Sequence, residues 1–325
     1  MQMNSETGVQ EQAQLQEQEQ VQLQTQEQTD FLEKHRTYYE ELLKRLNMMS
    51  DMFMRNVLKS RDCAQEVLRI ILGEKDLEVV EVEIQQDYKN LHGRSLELDC
   101  VALTRDGRVF DIEVEQRVSR AHPKRARYHN GLMDMNLLDP GDDFERMPEM
   151  CTIFIVDGDV LKEGKIFYYI DRTIRGSGRL FGDQSHVIYI NAAAVERLDT
   201  GEKDLPEKET DLYRLVHDFH CKKADEMYNN VLAKRVRELK ETEGGRRIMC
   251  EEMNKIYRWG QREGERIGEE RGMKMGEERG EERGREQINQ LNICLMNDGR
   301  LADLERTLTD ISYQNCLLKE YGLSI

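Results

Sequence analysis

Apolar residues follow two different spacings along the chain. In the segment 61–72, Val67, Ile70 and Ile71 fall at helical spacing and predict a helix. Six further segments alternate apolar and polar residues or are continuously apolar, which predicts strands at 77–85, 96–104, 108–116, 151–157, 165–171 and 186–191. A helix beginning near Pro123 separates the third strand from the fourth, since proline suits the first helical turn. The pattern therefore predicts an α/β (mixed α+β) core, with strands in mixed directions.

The same pattern divides the chain into four parts. Residues 1–29 are dominated by Gln and Glu, and so little apolar surface predicts a disordered tail. Residues 30–220 hold the predicted strands and helices and form one domain. Residues 221–286 are charged and helical, and residues 287–325 form a small C-terminal helical unit.

A glycine occupies every fourth position from 260 to 284. Seven glycines lower the stability of a lone helix by about 7 kcal/mol relative to alanine. Ion pairs such as Glu270 with Lys274 return only about 0.2–0.5 kcal/mol each. Two interpretations stay open: a flexible charged linker, or a helix that forms when another helix packs against the glycines. The second predicts a homo-oligomer through the C-terminal helices, in the manner of a coiled coil.

Composition narrows the class of protein. The formal net charge is -16, so any contact with nucleic acid requires a local basic patch. The seven cysteines are scattered without a CxxC pair, which argues against a disulfide framework or a zinc site and favours a reducing compartment. No apolar segment approaches membrane-spanning length. We expect a cytoplasmic protein with no membrane contact.

The second and third predicted strands are joined by the turn "RDG" at 105–107. A two-residue loop would place apolar residues of one strand opposite acidic residues of the other. A three-residue loop with Gly107 in the left-handed conformation pairs Thr104 with Arg108 and brings the apolar residues together. The pairs in this register are Leu98 with Val114, Cys100 with Ile112, Ala102 with Phe110, Asp99 with Glu113, and Glu97 with Glu115.

This register makes one face of the hairpin acidic. Asp111, Glu113 and Glu115 alternate along the third strand and project together, with Asp99 across from Glu113. Two carboxylates on rigid strands suit a hard divalent ion such as Mg²⁺ or Mn²⁺. Such an ion can lower the pKa of a bound water and neutralise charge on a phosphate. The alternative is a polar sheet face exposed to water.

The segment "RVSRAHPKRARYH" at 117–129 contains five basic residues and no acidic residue. Lys124 and Arg127 share one helix face. A basic helix start beside an acidic metal site fits a phosphodiester substrate, with phosphates held by Lys and Arg. The alternative is a basic surface that pairs with the abundant glutamates.

These motifs, from "SLELDCVALTRDGRVFDIEVEQR" through "PKRARYHNGLMDMNLL", resemble the PD-(D/E)XK nuclease family transposases, the Rpn recombination-promoting nuclease group. The similarity covers about residues 50–255. It implies a restriction-endonuclease-like core with a central mixed sheet flanked by helices. It also implies Asp99, Glu113 and position 115 as the active site, with Glu66 on the preceding helix assisting.

Position 115 departs from the family pattern. Relatives usually have Gln there, and some restriction-type members of the superfamily have Glu; this chain has Glu115 followed by Gln116. A Glu can bind metal or act as a general base. The expected function is a Mg²⁺-dependent DNA endonuclease linked to recombination or transposon-like mobility, with Lys124, Arg125, Arg127 and Gln116 contacting DNA. The alternative is a catalytically decayed nuclease that acts as a DNA-binding or oligomerising module.

Overall fold

A computed structural model gives the fold of the chain. It describes residues 34–88, 95–138, 141–194 and 207–323. The predicted disordered tail at 1–29 lies outside the described residues.

The described strands all lie between residues 79 and 191, with helices before, between and after them. The helices are α1 (34–45), α2 (Asp51–Leu58), α3 (Arg61–Leu72), α4 (Pro123–Leu137), α5 (Glu207–His220), α6 (Asn230–Glu241), α7 (Glu243–Asn297), α8 (Leu301–Thr307) and α9 (Ile311–Glu320). The strands are β1 (Val79–Tyr88), β2 (Leu96–Thr104), β3 (Val109–Glu115), β4 (Met150–Val156), β5 (Phe167–Ile170) and β6 (Ser185–Asn191). The predicted helices at 61–72 and near Pro123 are α3 and α4.

These strands form one six-stranded sheet in the order β1-β2-β3-β4-β6-β5. β1, β2 and β3 are antiparallel neighbours, β3 runs parallel to β4 and β4 to β6, and β5 is antiparallel to β6. The mixed α+β class, with flanking helices and a C-terminal helical extension, is confirmed. The parallel centre places the carboxyl ends of β3, β4 and β6 at one edge of the sheet.

The β2–β3 hairpin has the predicted three-residue turn. Gly107 has φ +89°, and the Thr104 N–H donates to the Arg108 carbonyl at 3.0 Å. Cys100 pairs with Ile112, and Ala102 with Phe110, as expected. A side chain at position 107 would be strained, because only glycine adopts this φ readily.

The register differs from the prediction beyond Cys100. The described ladder ends at Cys100 and Ile112, so three predicted pairs do not form in it: Leu98 with Val114, Asp99 with Glu113, and Glu97 with Glu115. Leu98 instead packs with Val101 on the opposite face of the sheet from Cys100. The alternation therefore breaks at Asp99, whose neighbour in β1, Gln85, has φ +55°. This change moves Asp99 out of the regular pleat.

Two apolar layers cover the sheet. On one face, Ile112 and Val114 belong to a large cluster with residues of α2, α3, α5 and α6. On the other face, Leu132 and Met133 of α4 pack against β2 and β4, and Ala126 packs against Phe154. Helix α4 therefore lies directly over the acidic side of β3.

The chain divides into two compact units, Met1–Asn254 and Lys255–Ile325. In the first unit, Val236 of α6 and Met249 of α7 belong to the same core as the sheet, so this core continues past the predicted domain end at 220. In the second unit, Leu291 and Leu295 of α7 pack with Leu317 and Leu318 of α9. Within the described ranges, every helix is too short or too polar to cross a membrane.

Candidate metal centre

The acidic face of β3 is buried. Asp111 is 0% exposed, Glu113 1% and Glu115 7%, because α4 packs across them. The interpretation of a solvated polar face is therefore wrong for these three residues. Burying charged carboxylates is costly unless each has a partner or binds a cation. The contacts of this group consequently decide what it can do.

The predicted ladder pair of Asp99 with Glu113 does not form, but the two residues contact each other through backbone-to-side-chain bonds. The backbone N–H of Asp99 donates to Oε1 of Glu113 at 3.0 Å. The N–H of Val114 donates to Oδ2 of Asp99 at a long 3.4 Å. These bonds replace the ladder beyond Cys100. Asp99 is partly exposed and forms the outer end of the acidic group.

Asp111 lies at the inner end of the group, beside His129 of α4. Its Oδ2 is 2.9 Å from Nδ1 of His129, and both side chains are fully buried. The other oxygen, Oδ1, is buried without a hydrogen-bond partner among the described residues, although the Glu113 carboxyl and the Thr152 hydroxyl lie close enough to Asp111 to lower its pKa. The nearby hydroxyl of Thr152 donates to Asn130 at 2.5 Å. A buried carboxylate oxygen with no donor is rare and requires an explanation.

Arg125 of α4 connects the acidic side chains. Its Nη2 donates to Oε2 of Glu113 at 2.8 Å, and its Nη1 pairs with Glu115 and with the carbonyl of Arg120. Its Nε donates to Nε2 of His129 at 3.1 Å. Because Nε2 accepts this bond, the proton of neutral His129 lies on Nδ1 and is donated to Asp111.

The pKa values follow from burial. Burial raises the pKa of Asp111 to about 7. Burial, and then the charge of Asp111, raise the pKa of Glu113, while burial and then the charge of Glu113 raise that of Asp99. Burial lowers the pKa of His129 to about 4, so its ring is neutral at pH 7. The positive charges of Arg125, and of Arg55 acting on Asp99, do not offset the effect of burial on these carboxyls.

A divalent cation would supply the positive charge that these buried carboxyls lack. Ligand atoms of Asp111, Glu113 and His129 lie within 4.8 Å of one another. Both ring nitrogens of His129 already have partners, so we assign it the task of orienting Asp111 and Arg125. The remaining donors are oxygens of Asp99, Asp111 and Glu113, and oxygen donors suit Mg²⁺ or Mn²⁺.

The predicted phosphate-binding residues differ in their surroundings. Arg125 has its guanidinium engaged by the acidic group. By contrast, four exposed cations around the start of α4 form no ion pair with any described residue: Arg117, Arg120, Lys124 and Arg127. The charged groups of Lys124 and Arg127 are therefore available for the predicted contacts with DNA.

Two other predicted site residues have structural partners. The amide of Gln116 donates to the carbonyl of Met49 at 2.9 Å. Glu66 of α3 accepts from Nδ2 of Asn229, the N-cap of α6, at 2.9 Å. That bond directs Glu66 toward the start of α6.

Sequence reasoning did not assign Asp111 or His129 to the site. Asp111 was detectable, because it shares the face of Glu113 by strand alternation. His129 is four residues after Arg125, which places both on one side of a helix. That spacing becomes informative only once α4 is known to cover β3.

A second group, His217, Asp218 and Cys221, also brings potential ligand atoms together. In this group the two oxygens of Asp218 accept backbone N–H bonds from Tyr228 at 2.8 Å and Asn229 at 2.7 Å, and these bonds hold the turn before α6.

Comparisons of the chain with protein-family models, with curated proteins and with solved structures found no match in any of the three. The resemblance to PD-(D/E)XK transposases consequently stays a hypothesis based on the motifs themselves.

Proposed function

We propose that the protein is a metal-dependent DNA endonuclease that hydrolyses phosphodiester bonds. The observation that carries the proposal is the buried Oδ1 of Asp111, which has no hydrogen-bond donor in the described part of the chain and lies beside Glu113 and Asp99, whose pKa values are raised. A divalent cation held by these three residues would supply the missing positive charge. When bound, Mg²⁺ or Mn²⁺ lowers the pKa of a water and neutralises charge on a phosphate.

The protein groups around the ion have separate tasks. Glu115 lies next to the proposed ligands on the same strand face and is the residue we assign as general base or additional ligand. Lys124 and Arg127 hold phosphates on the exposed side of α4. His129 fixes the orientation of Asp111 through the 2.9 Å bond. Each of these roles can be tested by substituting the residue.

The direct test is cleavage of supercoiled plasmid by the purified chain, with Mg²⁺ and with chelator. We expect cleavage only with the metal, and loss of cleavage in Asp99→Asn, Asp111→Asn and Glu113→Gln. Glu97→Gln is the matched control, because Glu97 is an exposed carboxylate of β2 that pairs with Arg55. Cleavage by all three site variants at the wild-type rate would refute the assignment.

The second candidate function is a decayed nuclease that binds DNA or a partner without cleaving it. Arg125 favours this candidate, because its ion pairs with Glu113 and Glu115 already neutralise part of the acidic group. Calorimetric titration with Mn²⁺ separates the two candidates. Absence of binding at millimolar ion, with and without DNA, would favour the decayed nuclease.

Two further aspects belong to the proposal. The tie to recombination or transposon-like mobility rests on the motif resemblance, and a cytoplasmic location fits seven free thiols. Homo-oligomerisation through α7 is supported by the exposed glycines at 260–284, around which a side chain would meet open space. A second helix can approach closely along such a row.

A further inference from the structure

The connection between β5 and β6 forms an ordered hairpin at residues 172–182, called here the arginine hairpin. Thr173 and Leu180 form an antiparallel bridge. Its arms are joined by bonds from Ile174 N to Arg179 O at 2.8 Å and from Phe181 N to Arg172 O at 2.9 Å. The segment therefore presents its side chains in a defined arrangement.

The arginine hairpin is basic, whereas the chain as a whole is acidic. It contains Arg172, Arg175 and Arg179 and no acidic residue, in a protein with a net charge of -16. It also exposes two adjacent large apolar side chains, Leu180 at 59% and Phe181 at 63%. Arginines interleaved with an exposed aromatic ring are typical of surfaces that contact nucleic acid.

The flanking acids do not neutralise the hairpin tip. Asp183 pairs with Arg172, and Asp171 contacts Nδ1 of His186 at 2.5 Å. Arg175 and Arg179 form no ion pair with the residues that the structure describes. Two cations consequently stay available at the tip.

The base of the hairpin is connected to α4, the helix that covers the metal centre. Nη2 of Arg172 donates to Oγ of Ser185 at 3.2 Å, and Nδ2 of Asn130 in α4 donates to the same oxygen at 2.9 Å. The hairpin base therefore lies beside α4 at the start of β6.

The register of the sheet gives the separation from the metal centre. Glu113 pairs with Phe154, which pairs with Tyr189, four residues along β6 from Ser185. At strand dimensions this is about 13 Å along the strands and about 10 Å across them. Both distances are shorter than one helical turn of duplex DNA, about 34 Å.

We propose that the arginine hairpin is a second contact for duplex DNA, with Arg175 and Arg179 on phosphates and Phe181 against the sugars and base edges of a groove. This inference rests on the proposed function in taking DNA as the substrate. A duplex that lies over the metal centre spans the distance to the hairpin base within the same turn.

The test measures binding separately from cleavage. Fluorescence anisotropy follows full-length protein binding to a labelled duplex of about 30 base pairs, three helical turns, in chelator at several salt concentrations. For R175A/R179A we expect affinity to fall at least about tenfold and the slope of log affinity against log salt to decrease by about 1.8. For F181A we expect weaker binding with an unchanged slope.

The control is R271A/R279A, which removes the same charge from exposed positions of α7. It should bind as wild type does. Wild-type affinity and slope in R175A/R179A would overturn the hairpin inference, as would a wild-type protein that binds no duplex. Circular dichroism excludes misfolding as the cause of lost binding, and F181A keeps both cations.

Plasmid cleavage in Mg²⁺ distinguishes the two proposals. If wild type binds DNA through the hairpin but never cleaves it, the nuclease assignment fails and the hairpin contact holds. If R175A/R179A cleaves and binds as wild type does, the hairpin inference fails and the nuclease assignment is unaffected.

Discussion

The backbone N–H of Asp99 donates to Oε1 of Glu113 at 3.0 Å, although the ladder between their strands has already ended at Cys100 and Ile112. The two proposed metal ligands are thus joined by a side-chain bond across a break in the pleat. Bulges of this kind occur next to active sites, where they redirect a side chain.

Neutralising Asp111 should stabilise the metal-free protein. The carboxyl is fully buried and its pKa is raised to about 7, so its ionised form opposes folding at pH 8. We expect Asp111→Asn to increase the free energy of unfolding in chelator on the order of 2 kcal/mol. Denaturant unfolding measures this change, and the same variant should lose plasmid cleavage.

The outcome separates a functional carboxylate from a structural one. If Asp111 served packing alone, its substitution would lower the free energy of unfolding or leave it unchanged. Loss of stability in Asp111→Asn, with Mg²⁺ and chelator giving equal values, would contradict the proposed cation site. Glu97→Gln again serves as the exposed control.

Stability should also depend on pH. For a carboxyl whose folded pKa is raised, the folded state binds more protons than the unfolded state between the two pKa values. The metal-free protein should therefore lose stability as the pH rises from about 4 through the folded pKa of Asp111, about 7, and on through the raised pKa values of Glu113 and Asp99. Thermal melts from pH 5 to 8 test this, and Mg²⁺ should raise the melting temperature more at pH 8 than at pH 5. A Mg²⁺ effect independent of pH would contradict coordination by these carboxyls.

Arg125 should compete with the cation for Glu113. Its removal leaves two buried carboxylates, Glu113 and Glu115, without their cationic partner, and breaking such a pair costs about 3–5 kcal/mol when fully buried. The Arg125 side chain is 31% exposed, so we expect about 2 kcal/mol for Arg125→Gln in chelator. Mg²⁺ should restore more stability to this variant than to wild type.

The comparison variant is Arg127→Gln, since Arg127 is exposed on the same helix. It should leave stability and metal response unchanged while weakening DNA binding. If Arg125→Gln responds to Mg²⁺ less than wild type does, then Arg125 supports the cation site instead of competing with it.

Much of this site was predictable because strand alternation and turn chemistry are local. Gly107 fixed the turn, and the pairs of Cys100 with Ile112 and Ala102 with Phe110 followed from matching apolar faces. The reversal at Leu98 was not predictable, because it depends on Asp99 bonding to Glu113 and on the left-handed Gln85. Those are tertiary contacts without a local pattern.

The burial of the acidic face could not be predicted from the sequence either. Nothing in the period of β3 shows that α4 covers it, and the parallel pairing of β3 with β4 is what positions that crossover helix. Arg125 was expected to face phosphate because the position of α4 over β3 was not known. Once α4 packs on the sheet, Arg125 and His129 point toward Glu113 and Asp111.

The glycine row of α7 gives a test of self-association. If a second copy packs along it, leucine at Gly268, Gly272 and Gly276 would separate the helices, because a close approach requires small residues. We expect this triple variant to sediment as a monomer and the wild-type chain as an oligomer. Lys274→Leu is the control, since position 274 lies two residues from the nearest glycines and points away from their row. A wild-type chain that is already monomeric would instead identify α7 as a charged linker.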